Sequence, residues 1–176
     1  MTYADLERMP DDGRRHELYD GEVWVVPSPV PLHQIVAHRL GNALDAYRQQ
    51  AGGLVFLAPL DVVFSEFNAA QPDVLFFVRD RVRLIDLRKV IRVPPDLAME
   101  VLSPGTEAVD RGRKMRMFAR FGVREYWLVD LDAKRIEIYR LTDRGYVLAQ
   151  DAAESDVAIS TILPDFSVAV APLFQV

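Results

Sequence analysis

Three short apolar runs do most to limit how this chain can fold: Val74–Val78, Leu97–Leu102 and Tyr126–Val129. Each has the length of a strand, and the first carries no polar residue at all. A strand with one face in water alternates apolar and polar residues. An unbroken run is what a strand buried on both faces looks like. Between the second and third runs, about Glu107 to Phe121 has helical spacing, with Thr106 placed to cap it and Gly122 to close it. Strand, helix, strand in that order predicts a parallel pair joined by a right-handed crossover.

Hairpins and a long helix surround this unit. Asp20-Gly21 lies between β-favouring residues from Arg15 to Val26, a strong hairpin signal because a type I′ turn needs positive φ. Pro27-Ser28-Pro29 ends the second strand. His33, Val36, Ala37, Leu40, Leu44 and Tyr47 recur at three- and four-residue spacing, which predicts a helix over about Leu32 to Gln50, stopped by Gly52-Gly53. Leu54–Leu57 and Asp61–Phe64 read as strand segments. Lys134–Leu141 alternates as a half-exposed strand does, and pairs with Tyr146–Gln150 across Asp143-Arg144-Gly145. The tail Val168–Val176 reads as a last strand packed on its own core. There is no internal repeat or Gly/Pro/Ser-rich linker, so the expectation is one domain over residues 1–176, of the α/β class: a mixed β-sheet flanked by helices, with an N-terminal hairpin.

Composition narrows the function classes. The chain has no cysteine, which excludes disulfides and thiolate metal sites and fits a cytoplasmic protein. The N-terminus does not read as a signal peptide. No uncharged apolar run approaches the ~20 residues of a bilayer span, so no membrane partner is expected. A net charge of −5 weighs against a broad basic footprint for nucleic acid. The charge is uneven, however: Arg79–Arg92 and Arg111–Arg120 hold just over half of the 21 Lys and Arg residues. Such clusters are either solvated faces or phosphate contacts.

Two carboxylates stand out by their neighbours. Asp73 opens the Phe76-Phe77 strand, and Glu100 sits inside an apolar one. A buried carboxylate needs a cation, a hydrogen-bond network or a raised pKa, and two at neighbouring strand ends make a natural site for a hard divalent cation. The competing reading of each alone is an acid facing solvent or a helix N-terminus. Lys114 sharpens the case. At 100° per residue it shares a face with Met117, Phe118 and Phe121, while Arg113, Arg116 and Arg120 lie on the other side. A lysine in an apolar stripe must snorkel out or meet a negative partner. Glu100 is one candidate, and Asp110, one turn earlier, is another through an ordinary i,i+4 pair. Glu17, just before the hairpin turn, and His33, leading the stripe of the long helix, are further candidates, with a structural role as the plainer reading of each.

At these residues the chain resembles a known family. Pro72-Asp73, Glu100-Val101-Leu102-Ser103-Pro104, Asp110 with Lys114, and Gly122-Val123-Arg124-Glu125-Tyr126-Trp127-Leu128-Val129-Asp130 look like the Uma family of putative restriction endonucleases. Glu17-Leu18-Tyr19-Asp20-Gly21-Glu22 and the stretch from Ser28-Pro29 to His33 are similar too. The resemblance runs from about Glu17 to Tyr139 and implies the PD-(D/E)xK, restriction-endonuclease-like fold with one metal site. It implies Asp73 and Glu100 as the metal ligands. The expected ion is Mg²⁺ (or Mn²⁺), with the backbone carbonyl of Val101 as a third ligand. In the superfamily pattern the lysine stands two residues after the second acid, which here is Leu102. Lys114, from the next helix, fits as its replacement.

The expected activity is phosphodiester hydrolysis of nucleic acid, DNA above RNA. Asp73, Glu100, Lys114 and Glu17 are the catalytic candidates, with Glu17 serving a second metal or a proton. His33, Ser103, Arg111 and Arg113 are the candidate substrate contacts. Cutting two strands calls for two active sites, so a homodimer is expected. The alternatives are a non-catalytic nucleic-acid- or protein-binding module on the same fold, a purely structural Lys114 ion pair, and a metal-dependent enzyme acting on some other substrate.

Overall fold

The computed structural model describes residues 1–175. A short helix α1 (Tyr3–Leu6), closed by a Thr2–Asp5 capping box, precedes the hairpin β1 (Arg15–Tyr19) and β2 (Glu22–Val26). Asp20 has φ 50° and Gly21 φ 84°, both left-handed, as a type I′ turn requires. The turn sets the register: Tyr19 pairs with Glu22 and Glu17 with Trp24. Helix α2 (Pro31–Ala51) starts on a proline, whose missing N–H costs nothing at that position, and ends at Gly52 with φ 75°. Its apolar stripe, Val36, Ala37, Leu40 and Leu44, is buried as the spacing predicts.

Strands β3 (Leu54–Leu57), β4 (Val62–Ser65), β5 (Asn68–Ala70), β6 (Val74–Phe77) and β7 (Leu97–Val101) follow. Sequence periodicity misses β5, a three-residue strand of Asn-Ala-Ala with no β-favouring side chain. A helical segment then runs through α3 (Glu107–Val109), a wider π turn over Asp110–Lys114, and α4 (Met115–Phe121). Gly122 closes it at φ 81°. The expected Thr106 cap is not made: its side chain caps nothing and its hydroxyl sits 3.0 Å from that of Ser103. Strands β8 (Glu125–Asp130), β9 (Arg135–Thr142) and β10 (Gly145–Ala152) complete the main meander, with Gly145 paired to Thr142. The tail corrects expectation. It gives β11 (Val157–Ile159), β12 (Ser167–Ala169) and a helical turn α5 (Ala171–Phe174), because Pro172 cannot donate to a ladder and opens a helical turn instead. Val176 lies outside the described residues.

The strands form one six-stranded sheet, ordered β10-β9-β8-β7-β6-β3, a four-stranded sheet, β2-β1-β5-β4, and the pair β11-β12. The hairpin therefore belongs to a second sheet rather than to the main one. In the main sheet only β7 and β8 run parallel, as their crossover predicts. The unbroken apolar runs are central strands covered on both faces. Leu97, Met99 and Val101 join Trp127, Val129 and the α2 stripe in one core. Ala98, Leu102, Tyr126 and Leu128 pack with Met117 and Phe118 of α4 in another. Glu100 has the parity of Ala98 and Leu102, so the pleat turns it toward the α4 side. No helix among the described residues is long and apolar enough to cross a membrane.

Candidate active site

The β6–β7 ladder brings the two acids together. Val74 pairs with Met99 in an antiparallel register, so Asp73 and Glu100 stand one step further along, on the same face. Asp73 Oδ2 accepts the backbone N–H of Val101 at 2.9 Å, and His33 Nε2, from the first turn of α2, lies 3.1 Å from the same oxygen. Glu17 enters from β1 of the second sheet. Its Oε2 accepts the Tyr19 hydroxyl at 2.6 Å and its Oε1 the backbone N–H of Gln71 at 2.8 Å.

Lys114 occupies the centre. Its Nζ donates to Glu100 Oε1 at 3.0 Å and lies 3.3 Å from Glu17 Oε1 and 3.1 Å from Asp110 Oδ1, the last at an angle that makes no hydrogen bond. Glu17, Glu100, Asp110 and Lys114 are all buried. The wide turn carries Asp110 and Lys114 at its two ends and turns both inward. Three carboxylates surround one ammonium, with Asp73 beside Glu100, so buried acids outnumber the buried cation, and the titration behaviour follows. Burial pushes the Glu100 carboxyl well above its usual range, and repulsion from Asp73, Asp110 and Glu17 adds to that against the pull of Lys114. Burial raises Asp110 in the same way. For Lys114, burial acts downward, but Asp110, Glu100 and Glu17 outweigh it and hold the ammonium well above its ordinary value. Lys114 therefore stays charged while Glu100 is driven toward its neutral form.

These groups line a small cavity of about 20 Å³, together with Trp24, His33, Gln71, Val101, Ser103 and Thr106. A larger hollow of about 790 Å³ lies between the end of α2 and residues 162–167, and contains none of the site carboxylates. Among the described residues no three His, Asp or Glu side chains form a ready-made metal cage. The donor chemistry nonetheless fits a hard divalent cation. Asp73 Oδ1 and Glu100 Oε2 accept no hydrogen bond from the described residues, and a cation between them would relieve the same repulsion that protonation of Glu100 relieves. Mg²⁺ is ordinarily held by one or two carboxylates, its other positions taken by water and substrate oxygens.

The model of the Uma2 family, described as putative restriction endonucleases, matches residues 3–171. The chain belongs to the Uma2 family. An uncharacterized protein of Synechocystis sp. is 30% identical over 148 residues, 81% of this chain and 74% of that protein. The crystal structure of a putative nuclease of the DUF820 group from Anabaena variabilis superposes with a TM-score of 0.79 at 17% identity, over 99% of this chain and 97% of that one. At that identity the likeness establishes the fold alone, a mixed α/β architecture.

Within this Uma2 fold, Glu17, His33, Asp73, Glu100, Val101, Ser103 and Lys114 share one cavity, while Arg111 and Arg113 do not line it. The guanidinium of Arg111 is bidentate on Glu137, at 2.7 and 3.0 Å, and also meets Glu107 at 2.9 Å; Arg113 pairs with Glu22. Leu102, at the usual lysine position, is core. Sequence reading overlooked Tyr19, Trp24 and Gln71. The signal for the first two was present: a turn at Asp20-Gly21 places Tyr19 on the same face of β1 as Glu17, and Trp24 directly across from Glu17. Gln71 carried only its adjacency to Pro72-Asp73.

Proposed function

We propose that this Uma2 protein is a Mg²⁺-dependent nuclease that hydrolyses phosphodiester bonds of nucleic acid, DNA in the first instance. The observation that carries the reading is the buried Lys114 held among Glu17, Glu100 and Asp110, beside the Asp73–Glu100 pair. Asp73 and Glu100, with the Val101 carbonyl, would hold the cation. Bound there, it supplies Lewis-acid polarisation of the phosphate. Lys114 orients the attacking water and offsets negative charge developing on the phosphorus oxygens. Glu17 receives the proton of that water. His33 and Ser103 contact the substrate at the cavity mouth. Arg111 and Arg113 reach phosphates by exchanging carboxylate partners, and paired chains present two such sites to a duplex.

The test is calorimetric titration of Mg²⁺ and Mn²⁺ into wild-type and Asp73→Ala protein, followed by a cleavage screen on labelled DNA and RNA. Binding and cleavage that both vanish in Asp73→Ala are expected. Cleavage that persists in clean Asp73→Ala protein sinks the assignment.

A non-catalytic binding module is the second reading. It is favoured by one observation, that Arg81, Arg111, Arg113 and Arg120 are each paired with an acid of the same chain. Absence of metal binding in the wild-type protein, with an oligonucleotide present, would select it.

A further inference from the structure

Arg15 opens β1 two residues before Glu17, and side chains two apart on a strand share a face. The register agrees: Arg15 stands across from Val26, as Glu17 stands across from Trp24. Arg15 is half-buried and lines the site cavity together with Glu17, Asp73, Glu100 and Lys114. Among the described residues its side chain makes no ion pair and no hydrogen bond. Asp12, the nearest acid before it, lies 3.5 Å from His16 Nε2 and accepts the Arg14 N–H at 3.0 Å. Arg15 also borders an acidic hollow with Asp11, Asp12 and Asp61, but that hollow lies on the His16 face of β1, and parity with Glu17 turns the Arg15 side chain the other way.

A hollow of about 440 Å³ adjoins the site cavity here, since Arg15, Val26, Pro27 and Pro29 line both. Two arginines, Arg14 and Arg15, border this hollow, and no Asp or Glu does. The hollow between α4 and the hairpin differs. Arg113, Arg116 and Arg120 line it beside Glu22 and Asp20, which pair with Arg113 and Arg120. Pro27, Pro29 and Pro59 wall the acid-free hollow, and their fixed φ leaves little chain freedom to lose when a ligand settles there. The first turn of α2 borders it at Gln34 and adds the positive end of a 21-residue helix.

We propose that this hollow is a substrate subsite, in which Arg15 holds the phosphate next to the scissile one on the cleaved nucleic-acid strand. The inference rests on the nuclease reading above and gives the site a direction: the strand runs from the hollow, past Pro27 and Pro29, to the carboxylate cluster. Arg15 and Glu17 are separated by about 6.6 Å of strand, so the guanidinium serves a neighbouring phosphate and not the one undergoing attack. A guanidinium matches phosphate geometry with two parallel N–H donors. Arg111 and Arg113 must release a carboxylate before they can do this, and Arg15 need release nothing. Arg15 also lies outside both basic clusters of the sequence, so only the strand register connects it with the site.

Fluorescence anisotropy on a labelled DNA duplex across a salt series, with Ca²⁺ in place of Mg²⁺ to hold back turnover, tests this on the wild type, Arg15→Gln, Arg15→Lys and Arg144→Gln. Arg144, exposed in the β9–β10 turn, reports the general effect of losing one positive charge. Arg15→Gln should raise Kd about 3- to 10-fold and lower the slope of log Kd against log salt by about one, at unchanged Tm. Arg15→Lys should keep the slope. With Mn²⁺ present, kcat/KM for cleavage of the same duplex should fall in Arg15→Gln by the factor that Kd rises. Wild-type Kd and slope in Arg15→Gln, or an equal loss in Arg144→Gln, overturns the subsite, and an inactive Asp73→Ala beside that result leaves the nuclease reading standing. Full cleavage by Asp73→Ala overturns the nuclease reading, and with it the scissile phosphate whose neighbour Arg15 holds.

Discussion

Two buried carboxylates on neighbouring strands show what separates a residue that holds the fold from one kept for chemistry. Glu125, at the start of β8, is fully buried and makes no ion pair among the described residues, and four donors satisfy it: Trp127 Nε1 at 2.7 Å, Ser160 Oγ at 2.8 Å, and the Thr161 N–H and hydroxyl at 2.6 and 2.5 Å. Both oxygens are saturated, so the group ties residues 160–161 to the main sheet and has nothing left to offer a ligand. Glu100 has one donor, Lys114, and an oxygen to spare. Lys114 in turn is the sole cation in contact with Glu17, Glu100 and Asp110 among the described residues. Lys114→Met should therefore cost about 3–5 kcal/mol at neutral pH, the usual loss when one partner of a buried pair is removed. Adding Glu100→Gln should restore part of it, and chemical denaturation of the single and double variants measures both. A single variant as stable as the wild type would mean that the carboxylates are already neutral without the ammonium. The odd placement of Lys114, Asp73 and Glu100 in apolar settings was legible in the sequence. The role of Glu125 was not, because its four partners include residues 35 and 36 positions away, beyond any local pattern.

Among the elements, the helical segment from Glu107 to Phe121 was readable in extent but not in kind. Periodicity located it and Gly122 marked its end, since both belong to local sequence. The π turn at Asp110–Lys114 left no such mark. Its cause is tertiary: Asp110 and Lys114 must both face the carboxylates of two different sheets, and a wide turn at a functional site is a common outcome of such a demand. The Thr106 cap failed for a related reason, its hydroxyl being turned to that of Ser103 at the cavity edge. Strand β5 went unseen because its register is set by remote contacts, with Asn68 Oδ1 accepting the N–H of Asp20 at 3.1 Å. The glycine stops can be tested against each other. Gly122, at φ 81°, has no atom within 4 Å of where a Cβ would stand, so Gly122→Ala should cost only the backbone strain of about 1–2 kcal/mol. Gly53, at φ 106°, would put a Cβ 2.5 Å from the Phe77 carbonyl and 2.6 Å from the Phe76 ring. Gly53→Ala should add a steric cost of about 1–3 kcal/mol to the same strain. Urea denaturation ranks the two, and equal losses would show that the chain end of α2 shifts freely away from β6.

For the molecule as a whole, the site makes stability depend on pH and on cations together. Glu100 and Asp110 have folded-state pKa values raised by burial, so the folded protein binds protons more tightly there than the unfolded chain does. Their favourable contribution is full below the ordinary carboxylate value and is lost as pH rises above it toward the folded value. Lys114, also raised, stays protonated throughout that interval and adds no slope. Asp20 and Glu137 act oppositely. Each is lowered, Asp20 by its hydrogen bonds to Arg120 and Asn68, and Glu137 by Arg111 and Tyr139 against the upward pull of burial. Their contribution is present above the ordinary value and disappears in stronger acid. In a chelator, Tm should accordingly fall as pH rises above the ordinary carboxylate range, and fall again in stronger acid below it. Glu100→Gln, which mimics the neutral acid, should flatten the upper limb. A cation held by Asp73 and Glu100 would remove the same repulsion by another route. At a hundredfold excess over Kd it adds about 2.7 kcal/mol, or about 5–10 °C in Tm for a chain of this size. That gain should grow with pH, since cation and proton compete for one carboxylate. Calorimetric scans across pH, with and without Mg²⁺, separate the readings: a Tm gain equal at every pH would place the cation away from Glu100, and no gain at any pH would remove the cation from the proposed chemistry.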